Sequence, residues 1–213
     1  GRKMLTVLFE TGHPRITCKD PCNLRSPQQH RGVVHSSNLC TEITLNTSAD
    51  EIAVCNLGSI NLADHVHNGE LDVQRLERTV NTAVRMLDNV VDINYYAVPQ
   101  AKSSNFKHRP VGLGLMGFQD ALYRLNLPYT GAAAGEFADV AMDPPSYYAF
   151  RSSSSLAGER GPCDPYQGSL WHPGIPPMDS INHEKTARQS GHLNLNTHSR
   201  TDWTAGTAPI APR

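Results

Sequence analysis

Between Asp72 and Ile93 the apolar residues Val73, Leu76, Val80, Val84, Leu87 and Val91 recur at spacings of three and four. That spacing stacks them on one face of an α-helix, and Asp72 just ahead can accept the free amide protons of the first turn. A helix of about six turns with a single apolar stripe must bury the stripe, so the rest of the chain has to supply a layer for it.

Upstream, two stretches read as strands. Along 38–45, "NLCTEITL", alternation sends Leu39, Thr41, Ile43 and Leu45 to one face and Asn38, Cys40, Glu42 and Thr44 to the other. The apolar run "EIAVCNLGSINLA" (51–63) reads as a buried strand that carries Cys55 and turns near Gly58. Downstream, Pro99 and the polar, basic "AKSSNFKHR" (101–109) read as a connection. Leu115, Phe118, Leu122 and Leu125 mark a helix over about 115–126. Residues 132–142 read as a helix broken by Pro144-Pro145 and resumed over roughly 146–158. Strands, helix, loop, helix is an α/β order. From Gly161 on, seven prolines and five glycines with little apolar periodicity predict a tail that buries little, either a surface wrap or poorly ordered.

The bulk properties exclude several function classes. With 19 basic and 20 acidic residues there is no basic field for nucleic acid or an anionic membrane, and no apolar run approaches the ~18 residues of a membrane span. The start "GRKMLTVLFE" has no signal-peptide pattern, so a soluble, cytoplasmic protein with a small-molecule or protein partner is expected. Five scattered cysteines are not a paired disulfide framework. Gly1 in place of an initiator methionine, followed at once by apolar residues, suggests a piece of a longer protein.

Cys40, Glu42 and Asn38 share the polar side of 38–45 and place a thiol beside a carboxylate, although any half-exposed strand has a polar side. Cys55 taken singly reads as a small buried hydrophobe. Gly112-Leu113-Gly114-Leu115-Met116-Gly117 matches GxGxxG, with Glu136 downstream as a ribose contact, and so admits a nicotinamide-dependent oxidoreductase. The polar "SSNFKHRP" before it is not the apolar strand that motif needs, and helix packing through small residues is preferred. Cys18 and Cys22 have no histidine at zinc spacing, so no metal site is expected. His172, His183, His192 and His198 read as surface residues.

Taken together, Asn38-Leu39-Cys40-Thr41-Glu42, the second cysteine Cys55, "FETGHPRITCKDPCNLRSPQQHRGVVHSSNLCTEI", "RMLDNVVDINYYAVP" and "HRPVGLGLMGFQDAL" resemble the large (alpha) subunit of class I, aerobic ribonucleoside-diphosphate reductase. The likeness is close over about 5–130 and fades from about 131, where Pro144-Pro145 and serines 152–155 depart from it. "GSLWHPGIPPMDS" (168–180) is a weaker echo, and Ala208–Arg213 is a trace of the family's substrate-phosphate loop.

The resemblance implies part of a ten-stranded α/β barrel with a central finger loop over 1–160, followed by an irregular tail over 161–213. It implies that Cys40 becomes a thiyl radical that takes the 3′ hydrogen of a ribonucleoside diphosphate. Glu42 would accept the 3′-hydroxyl proton and Asn38 would orient the substrate, within a substrate-binding run of Asn38, Leu39, Cys40, Thr41 and Glu42. Cys55 would be one half of a dithiol that reduces the 2′ position. A same-face carboxylate meets the reach requirement of a general base, and a dry site would raise its pKa toward its working range.

Also implied are a small (beta) subunit whose dimetal centre, iron or manganese, supplies the radical, thioredoxin or glutaredoxin as reductant, and a homodimer. No cofactor is held by this chain, and allosteric nucleotides bind elsewhere. The family's second reducing cysteine, radical-relay tyrosines and C-terminal cysteines have no counterpart here, so an inactive fragment and a non-catalytic remnant are both expectations of the same resemblance.

Overall fold

The computed structural model describes residues 1–172 and the short strand 208–209. Its elements are α1 (Arg2–Thr11), α2 (Lys19–Arg25), β1 (Asn56–Asn61), β2 (Val66–His67), β3 (Glu70–Leu71), α3 (Val73–Ile93), α4 (Pro99–His108), β4 (Pro110–Met116), α5 (Phe118–Leu125), α6 (Ala132–Arg160) and β5 (Ala208–Pro209). β1 and β4 pair in parallel from Asn56↔Val111 to Asn61↔Met116, and β5 adds antiparallel to β4 at Val111↔Ala208. β2 and β3 form a hairpin closed by Asn68-Gly69, both at positive φ, the pairing that a tight two-residue turn demands. The α/β class holds. No closed barrel forms among the described residues, which give one three-stranded and one two-stranded sheet.

α3 is the crossover between the parallel strands and follows its periodicity closely. Leu76, Val80, Val84 and Leu87 are buried with Ile60, Val111 and Leu113 of the sheet and Ala149 and Leu156 of α6, and Val91 is buried further along the same helix. Burying each such side chain stabilises by roughly 1.5–3 kcal/mol. Val73 stays exposed, and Asp72 caps the helix by accepting from Arg75 N at 2.9 Å.

Several elements differ from the sequence expectation for identifiable reasons. Residues 101–109 are not a connection: Pro99 starts α4 at its first turn, where a missing N–H costs nothing, and the polar positions Ser104, Asn105 and His108 face inward. The run at 51–63 is a strand only from Asn56, and it passes straight through Gly58 to turn after Asn61. Gly112–Met116 of GxGxxG lie in β4 rather than in a helix, Leu115 among them, and Gly117 is the residue just before the helix that begins at Phe118. Only Gly117 is conformationally required, since it sits at φ 73 and a Cβ there would come within 2.5 Å of Asn61 Oδ1. A phosphate-cradling turn needs the strand to end before the first glycine, and here it continues.

α6 runs unbroken through Pro144 and Pro145, which are both buried. Each proline removes a backbone donor, but packing holds the helix on both sides of them. Ala141 joins the cluster of Leu62, Val66 and Ala121, while Ala149 and Leu156 join that of α3.

Residues 161–172 do not form the sparse tail expected. Cys163, Tyr166 and Trp171 bury against Phe150, with the Phe150 and Trp171 rings 5.4 Å apart. The segment ties α6 to the loop after α2 through Leu170 N to Pro27 O at 2.9 Å and Arg31 Nη2 to Asp164 O at 3.0 Å. His172 is exposed; His183, His192 and His198 lie outside the described residues, as do 173–180 of the weak echo.

Candidate functional site

The stretch 38–45 is not a strand. Thr41 N donates to Asn38 O at 3.1 Å, closing a turn, and Thr41 itself sits at φ 70, a region β-branched residues seldom occupy. Alternation fails because side chains bond the local backbone instead of leaving it to a sheet ladder. Asn38 Oδ1 accepts from Ile43 N at 3.2 Å, Ser37 Oγ donates to Ile43 O at 2.7 Å, and Thr41 Oγ1 donates to Cys40 O at 2.6 Å. Buried Val34 and Ile43 anchor the loop on either side, and Asn23 of α2 holds Val34 through both its N–H and its carbonyl.

The turn brings Asn38 and Glu42 together by another route than a shared strand face. Asn38 Nδ2 donates to Glu42 Oε1 at 2.8 Å, while Glu42 Oε2 is buried with no hydrogen-bond partner. Cys40 is exposed at the tip beside Leu39, and its carbonyl also accepts from Arg15 Nη1 at 3.0 Å. Asn38, Leu39 and Thr41 line a cleft of about 490 Å³ together with Arg15, Lys19 and Cys22. Among the described residues no group of three or more His, Cys, Asp or Glu side chains is arranged to hold a metal ion.

Cys55 lies immediately before β1, half-buried, and burial together with the nearby Glu42 charge pushes its thiol up to about 11. At neutral pH it is therefore a thiol rather than a thiolate, suited to giving up hydrogen and poorly suited to nucleophilic attack. Asn56, the next residue, is buried and donates to Asn105 Oδ1 at 2.8 Å and Pro110 O at 2.7 Å, which fixes the strand end that carries Cys55.

On the other side, Glu51 accepts from Lys107 Nζ and from His108 Nε2, the latter at 2.9 Å. Burial works to raise the Glu51 carboxyl, but the hydrogen bonds from Lys107 and His108 outweigh it and hold the group below its ordinary value. Burial lowers the His108 imidazole against the opposing pull of Glu51. Its Nδ1 is buried without a partner, so a second proton there would have no acceptor.

Both shifts weaken the fold in acid. As pH drops below the ordinary histidine value of 6.5, the unfolded chain takes up a proton that folded His108 resists. The stabilisation from Glu51 is present above its ordinary value and is lost as pH falls through its lowered folded value. His108→Gln keeps a donor for Glu51, so it is expected to flatten the fall in urea midpoint just below pH 6.5 and leave the carboxylate-driven fall at lower pH. An unchanged slope would remove His108 from this account.

Compared with known proteins, the sequence matches the family described as "Ribonucleotide reductase, barrel domain" over residues 2–211. The chain belongs to this family. It is 54% identical over 202 residues to the ribonucleoside-diphosphate reductase subunit alpha of Chlamydia trachomatis, and 43% identical over 174 residues to the large subunit of Variola virus. It is 40% identical over 179 residues to the large chain of Schizosaccharomyces pombe. These alignments cover 95%, 82% and 84% of this chain but only 19%, 23% and 22% of the relatives, so the chain spans about a fifth of their length. The family match extends past residue 131 to residue 211.

Membership of a barrel-domain family supports the barrel expectation, with the described residues forming an open portion. Arg15, Ser37 and the Glu51–Lys107–His108 cluster were not singled out from the sequence. Arg15 meets Cys40 across 25 residues, and no local pattern reports such a contact. Ser37 had a signal, since a serine next to Asn38 is a local backbone binder by type. Asn46 is buried, and its Nδ2 donates to Glu51 Oε2 at 3.3 Å.

Proposed function

We propose that this chain supplies the radical-bearing loop of a class I ribonucleoside-diphosphate reductase large subunit, acting within a longer protein. In this reading Cys40, as a thiyl radical, takes the 3′ hydrogen of the substrate ribose, and Glu42 accepts the 3′-hydroxyl proton. Asn38 orients substrate and base, and the run Asn38–Glu42 contacts the sugar. The 2′-hydroxyl leaves as water, Cys55 and a second thiol supply the two hydrogens and two electrons and become a disulfide, and Cys40 returns its hydrogen to C3′ and is left a thiyl radical again. A partner subunit with an iron or manganese dimetal centre supplies the radical when bound. Thioredoxin or glutaredoxin restores the dithiol, and the reductase works as a homodimer in the cytoplasm.

The observation that carries the reading is the pairing of Asn38 with one oxygen of Glu42 while the other, Oε2, is buried and unpartnered beside the Cys40 turn. A general base needs an oxygen free to receive a proton within hydrogen-bond reach. The raised thiol of Cys55, held protonated in part by Glu42, agrees with a hydrogen-donating role.

In the complete reductase containing this chain, Glu42→Gln is expected to lower kcat by about 10²–10⁴, the span general acid–base catalysis supplies, with little change in KM. Deoxyribonucleotide formation with the radical-generating subunit and a dithiol reductant measures it. Undiminished kcat would remove Glu42 as the base.

A further inference from the structure

Ser37 lies outside the substrate-contacting run, yet it closes the loop that run forms. Its hydroxyl has one proton, and the 2.7 Å contact to Ile43 O is much the shorter of its two acceptor contacts, the other being Asn38 Oδ1 at 3.3 Å. The peptide groups of Ile43 are thus held from both sides by neighbours: its carbonyl by Ser37 and its N–H by Asn38. Ile43 is itself buried. Glu42 therefore precedes a residue fixed by packing and by two hydrogen bonds, and its carboxylate is steered by the Asn38 amide whose oxygen Ile43 N–H engages.

We propose that Ser37 is a positioning residue for Glu42, closing the neck of the loop so that Oε1 stays held by Asn38 and Oε2 stays unpartnered. The proposal rests on the reading of Glu42 as the base. Without the Ser37 hydroxyl the Ile43 carbonyl loses its tie across the neck, and Glu42 samples orientations in which Asn38 no longer holds its carboxylate. Small displacements of a catalytic group weaken rate more than binding.

The test is a double-mutant cycle in the complete reductase, assayed with its radical-generating subunit and a dithiol reductant. Ser37→Ala is expected to lower kcat about five- to tenfold, the factor that one lost hydrogen bond represents, with KM and melting temperature held. Ser37→Thr, which keeps the hydroxyl, restores kcat. In a Glu42→Gln background Ser37→Ala costs nothing further, because its effect runs through the carboxylate.

Wild-type kcat in Ser37→Ala, a multiplicative loss on top of Glu42→Gln, failure of threonine to rescue, or a loss matched by a lowered melting temperature would each overturn the proposal. Undiminished activity of Glu42→Gln itself would instead overturn the assignment of the base, and so separates the two failures.

Discussion

Replacing Arg109 with methionine is expected to lower the melting temperature of this chain by roughly 6–20 °C, the shift that a loss of about 3–5 kcal/mol produces in a domain of this size. Arg109 is fully buried at the end of α4, in the left-handed region at φ 46. Its Nε and Nη2 donate to Asp88 Oδ1 at 2.9 and 2.7 Å, and its Nη1 and Nη2 to Asp92 at 2.7 and 3.1 Å. Burial works against its charge, but Asp92 and Asp88 outweigh burial and hold its pKa above the ordinary value.

Methionine fills much of the same volume, so the expected loss is chiefly electrostatic. The Asp88 carboxylate, also fully buried, keeps Arg160 as a partner but loses the fork from Arg109. A buried charge that loses a main counter-ion is among the few changes that cost several kcal/mol at once, out of a typical total of 5–15 kcal/mol. Arg109→Lys keeps the charge without the fork and should fall between. Thermal denaturation of the three forms decides it, and a methionine variant melting within a degree of wild type would show that the network contributes nothing net. Because β4 begins at Pro110 and β1 is registered on it, loosening Arg109 also loosens the strand end that carries Cys55.

That network shows where the sequence was informative. α3 was legible because its stripe is periodic and faces a single core, and nothing local competes with it. α4 was not, since its inward positions are polar and their partners sit on other elements: Asn105 meets Asn56, and His108 meets Glu51. Periodicity counts apolar residues and cannot see a face that buries amides and an imidazole. α6 was misread at Pro144-Pro145 because local propensity argues from the missing donors alone, whereas the packing of Ala141, Ala149 and Leu156 decides the outcome.

At the candidate site the partners were legible and the geometry was not. Asn38 and Glu42 do meet, but through a turn with Thr41 at positive φ, while Cys40 is exposed at the tip. Alternation presumes a paired strand, and Ser37, Asn38 and Thr41 all carry side chains that bond the backbone locally instead.

Cys40→Ser in the complete reductase is expected to abolish deoxyribonucleotide formation while leaving substrate binding intact. The turn is held by the carbonyl of Cys40, which accepts from Arg15 and Thr41, and by the side chains of Ser37 and Asn38. Exchanging sulfur for oxygen at the exposed tip disturbs none of these bonds, so the variant keeps the loop, the Asn38–Glu42 pair and the cleft. What it loses is chemical, because an O–H bond is much harder to convert to a radical than an S–H bond and the radical cannot be passed to serine.

Equilibrium binding of a ribonucleoside diphosphate and product formation should therefore separate in this variant. Retained turnover would sink the radical assignment of Cys40, and lost binding would show that the thiol also shapes the site. Cys55→Ser separates differently. On the proposed reading it leaves Cys40 and Glu42 in place but removes one of the two thiols that reduce the 2′ position, so a radical should still form on substrate addition while deoxyribonucleotide formation stops. Repeated turnover of Cys55→Ser with an external reductant would place the reducing thiols elsewhere. Its raised, protonated state, set by burial and by Glu42, would then be no more than the ordinary consequence of a cysteine beside a carboxylate.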